Sequence, residues 1–488
     1  MKQMIHSVLS RLSPRRYFYL SSVLVVLVYC KPIFTIWAYS DEYDLFKINP
    51  LLGMHMRKDG NLLSGVIYDY ISAWIVNSPA DLWKLRLISL FLLLLIINTI
   101  ARKIHLSNQS SLIQFVLPIT LMLPAPMTFI SWALLWQGSL GIFLSFYASQ
   151  YWVNSESYKR FISPIIVLGA LYISPVAAFT YFGFFSAIHI LSKTPSRIFL
   201  RKLMSLILLF IISGVTSLIV LFINVRFFDV PLNQRVGLVK FADVPEKVFW
   251  LVSRPLAVST RFFDIHSPGF FNTLFVFSIV IAVVVLGIIS QGREIGESSF
   301  ARLALYFFCL LASITPLVIT WSNQIEFRYI FAPSWSIFVV TIVFLSELTR
   351  KKSKLNKLLT TISIILILFA GMTTVTVNTD KQFISPFISK NQFLTDEIDK
   401  CAKKLGSISG VIIKNPQYPF PSRANLGIFS QVTDLASPWV PIPSVKFILA
   451  AKGFPYAQIS MEDEGMEEQN KSCIINLERY REILVASP

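Results

Sequence analysis

An all-α polytopic membrane protein, with about eleven transmembrane helices and a small C-terminal α/β domain, is the fold class that this sequence predicts. Three observations predict it. Hydrophobic residues make up 54% of the 488 positions, charged residues only 15%, and 41 residues are Phe, which is too little polar surface for a water-soluble globule. The apolar residues gather into long runs of membrane-spanning length. The charge is also divided unevenly: residues 379–488 carry twelve Lys+Arg against twelve Asp+Glu, so the whole formal charge of +17 lies in residues 1–378.

Taken in order, the runs predict spans at 17–38, 84–100, 111–123, 128–150, 161–173, 176–192, 204–225, 270–290, 303–321, 330–346 and 358–377. The first run is longer than the ~7–15 residues of a signal-peptide core and is read as a retained span. Between these spans, the N-terminus and the short loops near 101–110, 151–160, 193–203, 291–302 and 347–357 hold nineteen Lys+Arg and four Asp+Glu, against thirteen and eleven elsewhere in 1–378. The positive-inside rule therefore places the N-terminus in the cytoplasm, and puts loops 39–83 and 226–269 and the C-terminal segment outside. The basic total is thus a topology signal and predicts no nucleic-acid partner. Within loop 39–83, "LLSGVIYDYISAWIVNS" (62–78) repeats Leu63, Val66, Ile67, Tyr70, Ile71, Trp74 and Ile75 at helical spacing with Asp69 opposite. That pattern predicts an amphipathic helix in the outer interface; as a further span it would invert every later loop.

Residues 1–378 form the membrane domain in this reading, and 379–488 a separate outer domain. "NQFLTDEIDKCAKKLG" predicts a helix capped by Asn391 and stopped by Gly406, and "SGVIIKN", "KFILAA" and "SCIINL" predict buried strands. Cys401 and Cys473 share this outer, disulfide-permissive segment and are expected to be joined. Cys30 and Cys309 fall in spans, where packing is the expected role. The acidic run "MEDEGMEEQNK" lacks His and regular ligand spacing, and reads as a solvated loop.

No Walker A loop, GxGxxG after a strand, HExxH or GxSxG occurs, which removes nucleotide-driven pumping, dinucleotide redox chemistry and serine hydrolysis. Two outer stretches do carry chemistry. "WAYSDEYDLFKINPLL" places Asp41, Glu42 and Asp44 where the first span meets water, suited to taking a proton from a hydroxyl while a lipid-borne substrate sits in the adjacent bilayer. The competing reading is a solvated helix end. "WSNQIEFRYIFAP", between the ninth and tenth spans, adds Glu326, Arg328 and Tyr329; a planar guanidinium there suits a phosphate or carboxylate.

An acidic motif in the first outer loop (Asp41-Glu42 and Glu42-Tyr43-Asp44) with a late Arg328-Tyr329 pair resembles the GT-C glycosyltransferases, membrane enzymes that use polyprenyl-phosphate sugars. The span layout, "MRKDGNLL" in the first loop and the closing outer domain look most like the serotype-converting O-antigen glucosyltransferases (Gtr type) of Gram-negative bacteria and their phages. The resemblance implies a GT-C-like fold in the bacterial inner membrane with a periplasmic C-terminal domain. It implies an undecaprenyl-phosphate sugar donor, glucose first, and an O-antigen or lipopolysaccharide acceptor. Transfer would be a single inverting displacement with a carboxylate, Asp44 or Asp41 before Glu42, as general base. Basic residues would stabilise the departing phosphate: Arg328, Arg57, Lys58 and His55, together with Arg254 from a seven-residue series Lys247, Arg254 and Arg261 that an unbroken helix would align on one face. The reading requires no cofactor and leaves a divalent metal at the acidic motif open. An O-antigen polymerase or ligase is expected instead to carry a large Arg-rich outer loop, and a lipid-linked oligosaccharide flippase to carry charges inside mid-bundle spans and repeated halves.

Overall fold

Prolines open or bend several of the bundle helices. The computed structural model describes residues 14–38, 40–46, 52–58, 60–105, 111–154, 159–227, 239–263, 270–319, 327–349, 355–415, 441–461 and 472–486, and is 84% helical. The first described helix is α1 (Pro14–Phe34). A 3-10 turn at Ser40–Leu45 follows, then α2 (Leu52–Lys58), α3 (Leu62–Ile67) and α4 (Trp83–His105). The next helix, α5 (Ser111–Ile119), runs through a 3-10 turn to Leu123, which Pro124 forces into an extended conformation (φ −64°, ψ 152°). The chain bends there by 57° into α6 (Pro124–Ser131), every residue of which is buried. Trp132 is extended again before α7 (Trp136–Asn154). The expected fourth span, 128–150, is corrected by this second break: its first residues belong to the bent helix α6, and hydropathy alone does not register the extended Trp132 that interrupts it.

The bundle continues with α8 (Lys159–Ile173), α9 (Pro175–Phe179), α10 (Tyr181–Leu191), α11 (Ser196–Phe227), α12 (Val244–Leu251), α13 (Ala257–Ser259), α14 (Phe270–Ile295), α15 (Ser299–Ser313), α16 (Thr315–Ile319), α17 (Phe331–Thr349) and α18 (Leu355–Thr379). Among the described residues, four helices are long and apolar enough to cross a membrane, or five if the bent pair is one span. Their outward faces are apolar: Met204, Leu208, Ile211, Val215, Leu218 and Phe222 are all exposed on α11. A chain in water does not leave a stripe of that size open, whereas lipid accommodates it, so the chain is a membrane protein.

Through a π-helical turn (Asp380–Ile384), α18 runs on into α19 (Ser385–Leu405), which ends at Gly406 in the left-handed region (φ 70°). Asn391 lies inside α19, not at its start, because the bundle helix leads straight into it. Beyond lie β1 (Gly410–Lys414), α20 (Pro441–Ala451), β2 (Gln458–Met461), β3 (Ser472–Asn476) and α21 (Leu477–Ala486). The three strands are parallel in the order β2-β1-β3. "KFILAA", expected as a strand, is the body of α20, and the missing strand is the half-polar "QISM" of β2. Short apolar runs do not distinguish a buried helix from a buried strand, and a parallel β1–β2 pair needs a crossover helix between them. The acidic run at 462–471 lies outside the described residues.

A second core, formed by Leu394, Ile398, Val411, Ile413, Val445, Leu449, Ile475 and Tyr480, is distinct from the bundle core. Cys401 of α19 and Cys473 of β3 are joined by a disulfide, with Cα atoms 5.5 Å apart. One residue of α20, Phe447, packs against the bundle cluster while its neighbours Val445 and Ile448 belong to the C-terminal core.

Candidate functional site

The turn Ser40–Leu45 is a single 3-10 helix of six residues. Three residues make one such turn, so side chains three apart share a face. The sequence S-D-E-Y-D-L therefore sorts itself into three directions.

One direction enters the bundle. Glu42 and Leu45 are both buried, and Glu42 has no exposed surface. The Glu42 carboxylate accepts the backbone N–H of Ala133 and lies 3.5 Å from Nη2 of Arg86, which is equally buried. Arg86, near the start of α4, donates from Nε to the Ser131 carbonyl and from Nη2 to the Trp37 carbonyl, each at 2.9 Å. Its guanidinium also sits 3.6 Å from the Trp37 ring centroid. One arginine thus ties together the chain leaving α1, the end of α6 and the acidic turn. Two buried charges survive in such a place only when paired and hydrogen-bonded.

The second direction meets the C-terminal domain. Tyr43 and Phe46 are buried, 5.8 Å apart edge to face, and both pack on Phe447 of α20. The Tyr43 hydroxyl donates to Oδ1 of Asn391 (2.9 Å), and the buried Lys390 ammonium lies 4.2 Å from the Tyr43 ring centroid.

Positions 41 and 44 make the third direction. Both lie on the same turn, three residues apart, while the side chains of Asp41 and Asp44 are outside the described residues.

The segment Ser131–Ala133 also receives the late motif. A 3-10 turn at Phe327–Tyr329 carries half-buried Arg328, whose guanidinium lies 5.1 Å from the Trp132 ring centroid and donates to the Tyr329 hydroxyl (2.9 Å). The residue after Trp132 is the one whose N–H holds Glu42. Two motifs nearly three hundred residues apart in sequence therefore meet on either side of one break between helices. Glu326 lies outside the described residues.

Three sequence-derived assignments change. Glu42, proposed with Asp41 and Asp44 as a base, has no exposure and is engaged by Arg86 and Ala133, so no acceptor hydroxyl reaches it. Arg57, proposed for phosphate, forms an ion pair with Asp69, and Asp69 accordingly faces inward from the helix it lies on. This contact requires α2 and α3 to cross at glycine: a Cβ on Gly65 would stand 2.6 Å from the Gly53 carbonyl, and one on Gly53 would collide with Asp69. The apolar face, with Leu63, Val66, Tyr70 and Trp74, is exposed as an interfacial helix requires. His55 and Lys58 lie on α2, with side chains outside the described residues. Finally, Lys247, Arg254 and Arg261 do not share a face. A π-helical turn at Val252–Leu256, containing Pro255, interrupts the helix; Lys247 and Arg261 are buried while Arg254 is exposed. Lys247 stacks 4.0 Å from the Trp250 ring, and burial pulls its ammonium down to about 8. Trp250 and Tyr329 pack on one cluster with Leu251 and Leu256, so the Arg254 helix borders the Arg328 turn.

Arg86 is absent from the sequence-derived candidates. Its signal is legible in "WKLRLIS": an arginine inside an apolar run is a functional or structural centre by default, with a partner to be found. Among the described residues, no group of three or more His, Cys, Asp or Glu side chains is placed to hold a metal. No family model, curated protein or solved structure matches this chain.

Proposed function

We propose that the chain is an integral membrane glycosyltransferase of the GT-C kind. It moves a sugar, glucose in the first instance, from undecaprenyl phosphate to O-antigen or lipopolysaccharide units on the periplasmic side of the bacterial inner membrane. The observation that carries this reading is the meeting of the acidic turn and the Arg328-Tyr329 turn at Ser131–Ala133, beside helices that face lipid. A polyprenyl donor needs a bilayer at hand, a cation for its phosphate and a carboxylate for the acceptor hydroxyl; Arg328 would be that cation, and the acidic turn that would supply the carboxylate reaches the same segment through Glu42.

In that mechanism, the carboxylate at position 44 or 41 takes the acceptor proton as the hydroxyl oxygen attacks the anomeric carbon. The bond from that carbon to the phosphate oxygen breaks on the opposite face, so the configuration inverts. Arg328 takes up the charge growing on the departing phosphate, with Arg254 as a further candidate cation and Arg57 as one only if the phosphate displaces Asp69. Glu42 is not the base but the anchor that fixes the turn. The eleven-span topology belongs to the same proposal: a reporter active only outside the cytoplasm should be active when fused after Pro488 and inactive when fused at Lys352.

The direct test is expression in a host with a defined O-antigen and a supply of lipid-linked glucose, followed by sugar and linkage analysis of the lipopolysaccharide. A new glucosyl branch is expected. Unchanged polysaccharide at good membrane abundance would overturn the reading and favour a transporter.

A further inference from the structure

We infer that the C-terminal domain is a working half of the site, with Lys390 and Asn391 of α19 as positioning residues that hold the acidic turn in register through Tyr43. This rests on the reading of that turn as the catalytic element. A six-residue 3-10 turn has poor hydrogen-bond geometry and no intrinsic persistence, so its orientation comes from what grips it. The bundle grips it on one face through the buried Glu42 and Leu45. A grip on one face resists rotation about the turn axis less than a grip on two, and the neighbouring face, at Tyr43, supplies the second.

The C-terminal domain contributes to that second grip. Asn391 accepts a hydrogen bond from the Tyr43 hydroxyl, Lys390 sits over the ring, and Phe447 closes on Tyr43 and Phe46 from α20. Lys390 is fully buried, with Nζ 3.4 Å from Oγ of Ser444 on α20, so it joins the two C-terminal helices at the point where they touch the turn. A lysine is not needed for packing there, since an apolar residue would fill the space without a desolvation penalty. Its charge is retained next to a turn bearing three carboxylates. The Cys401–Cys473 bond anchors the far end of the same helix to the sheet. The path from the disulfide to position 44 therefore runs through one continuous helix and one tyrosine.

The test uses the full chain in membranes, with three variants of graded severity: Tyr43→Phe, which keeps the ring and removes only the hydroxyl; Lys390→Met; and Lys390→Arg. Sugar transfer is measured over a range of lipid-donor concentrations, and amide hydrogen exchange is followed over residues 40–46. Lys390→Met is expected to lower kcat by about 100-fold, the usual cost of displacing a reacting group by about an ångström, with KM for the donor changed less than about threefold. Lys390→Arg should restore most of the rate, and Tyr43→Phe should fall between. Exchange over 40–46 should rise in Lys390→Met and Tyr43→Phe while the disulfide stays formed. Unchanged kcat with unchanged exchange overturns the inference, as does a loss confined to KM. If the wild type transfers no sugar, the function proposed above fails; turn protection that is lost in the variants would still uphold the mechanical link.

Discussion

Two carboxylate–guanidinium pairs lie in the region that follows the first helix, and their settings are opposite. Glu42 and Arg86 are both 0% exposed, while Arg57 and Asp69 keep 36% and 29% of their side-chain surface. The buried pair has further fixed partners, the Ala133 N–H and the carbonyls of Trp37 and Ser131. Such a pair cannot be exchanged for a ligand, because separating it would strand a charge in a dry interior. The half-exposed pair is screened by water and salt, so in the proposed mechanism a phosphate would displace Asp69 from Arg57 at small cost. The same chemistry therefore builds a scaffold in one place and leaves a cation recruitable in the other.

The largest effect that can break this contrast is Arg86→Ala. It should destabilise the bundle by about 3–5 kcal/mol, the cost of orphaning a buried partner, and be read as loss of membrane abundance and a lower melting temperature in detergent. A stable, abundant Arg86→Ala protein would show that the pair is not the anchor. Next comes the C-terminal domain, where Cys473→Ala should cost about 2–5 kcal/mol, seen as early unfolding of that domain with the bundle intact. Recovering both thiols freely alkylated from the native protein would remove the basis for that figure. Arg57→Ala should change stability by less than about 1 kcal/mol while raising KM for the lipid donor, a split that donor titrations report directly. The smallest effect is expected from Asp69→Asn: activity retained, stability within about 1 kcal/mol, and donor KM equal or lower because the guanidinium loses its competitor. A strong loss of transfer in Asp69→Asn would mean that the exposed pair is no more exchangeable than the buried one.

The helical, apolar character of the bundle was legible in the sequence because lipid-facing helices are written in long apolar runs, but among the described residues four or five helices are long and apolar enough to cross a membrane, and the expected spans 176–192 and 303–321 each divide between two helices. What hydropathy missed is local backbone chemistry. Pro124 and the extended Trp132 cut one apolar stretch into a buried bent helix and a longer one, and that cut creates the Ala133 N–H which receives Glu42. By contrast, Pro255 is legible in the sequence as an interruption of the Lys247, Arg254 and Arg261 series, and the π-turn that contains it breaks the helix there. Of the site, the acidic turn and the Arg328-Tyr329 pair were visible as residues, but their meeting at Trp132 depends on the tertiary fold and has no trace in spacing. Arg86 was visible and passed over, since one charge hardly lowers the mean hydropathy of a span. In the C-terminal segment, β1 and β3 read correctly as continuous apolar runs, whereas α20 and β2 were exchanged because "KFILAA" is as apolar as a buried strand and "QISM" alternates like a half-exposed one.

The proposed mechanism divides labour within one turn: Glu42 anchors it, and the face bearing positions 41 and 44 would take the acceptor proton. Transfer rate and membrane abundance, measured together for Asp41→Asn, Glu42→Gln and Asp44→Asn, test it most directly. The account predicts that Asp44→Asn or Asp41→Asn lowers the rate by about 100- to 10,000-fold, the range of a general base, at wild-type abundance, while Glu42→Gln lowers abundance first. Activity retained when Asp41 and Asp44 are each neutralised would contradict it, and so would a Glu42→Gln protein that is abundant, well folded and inactive.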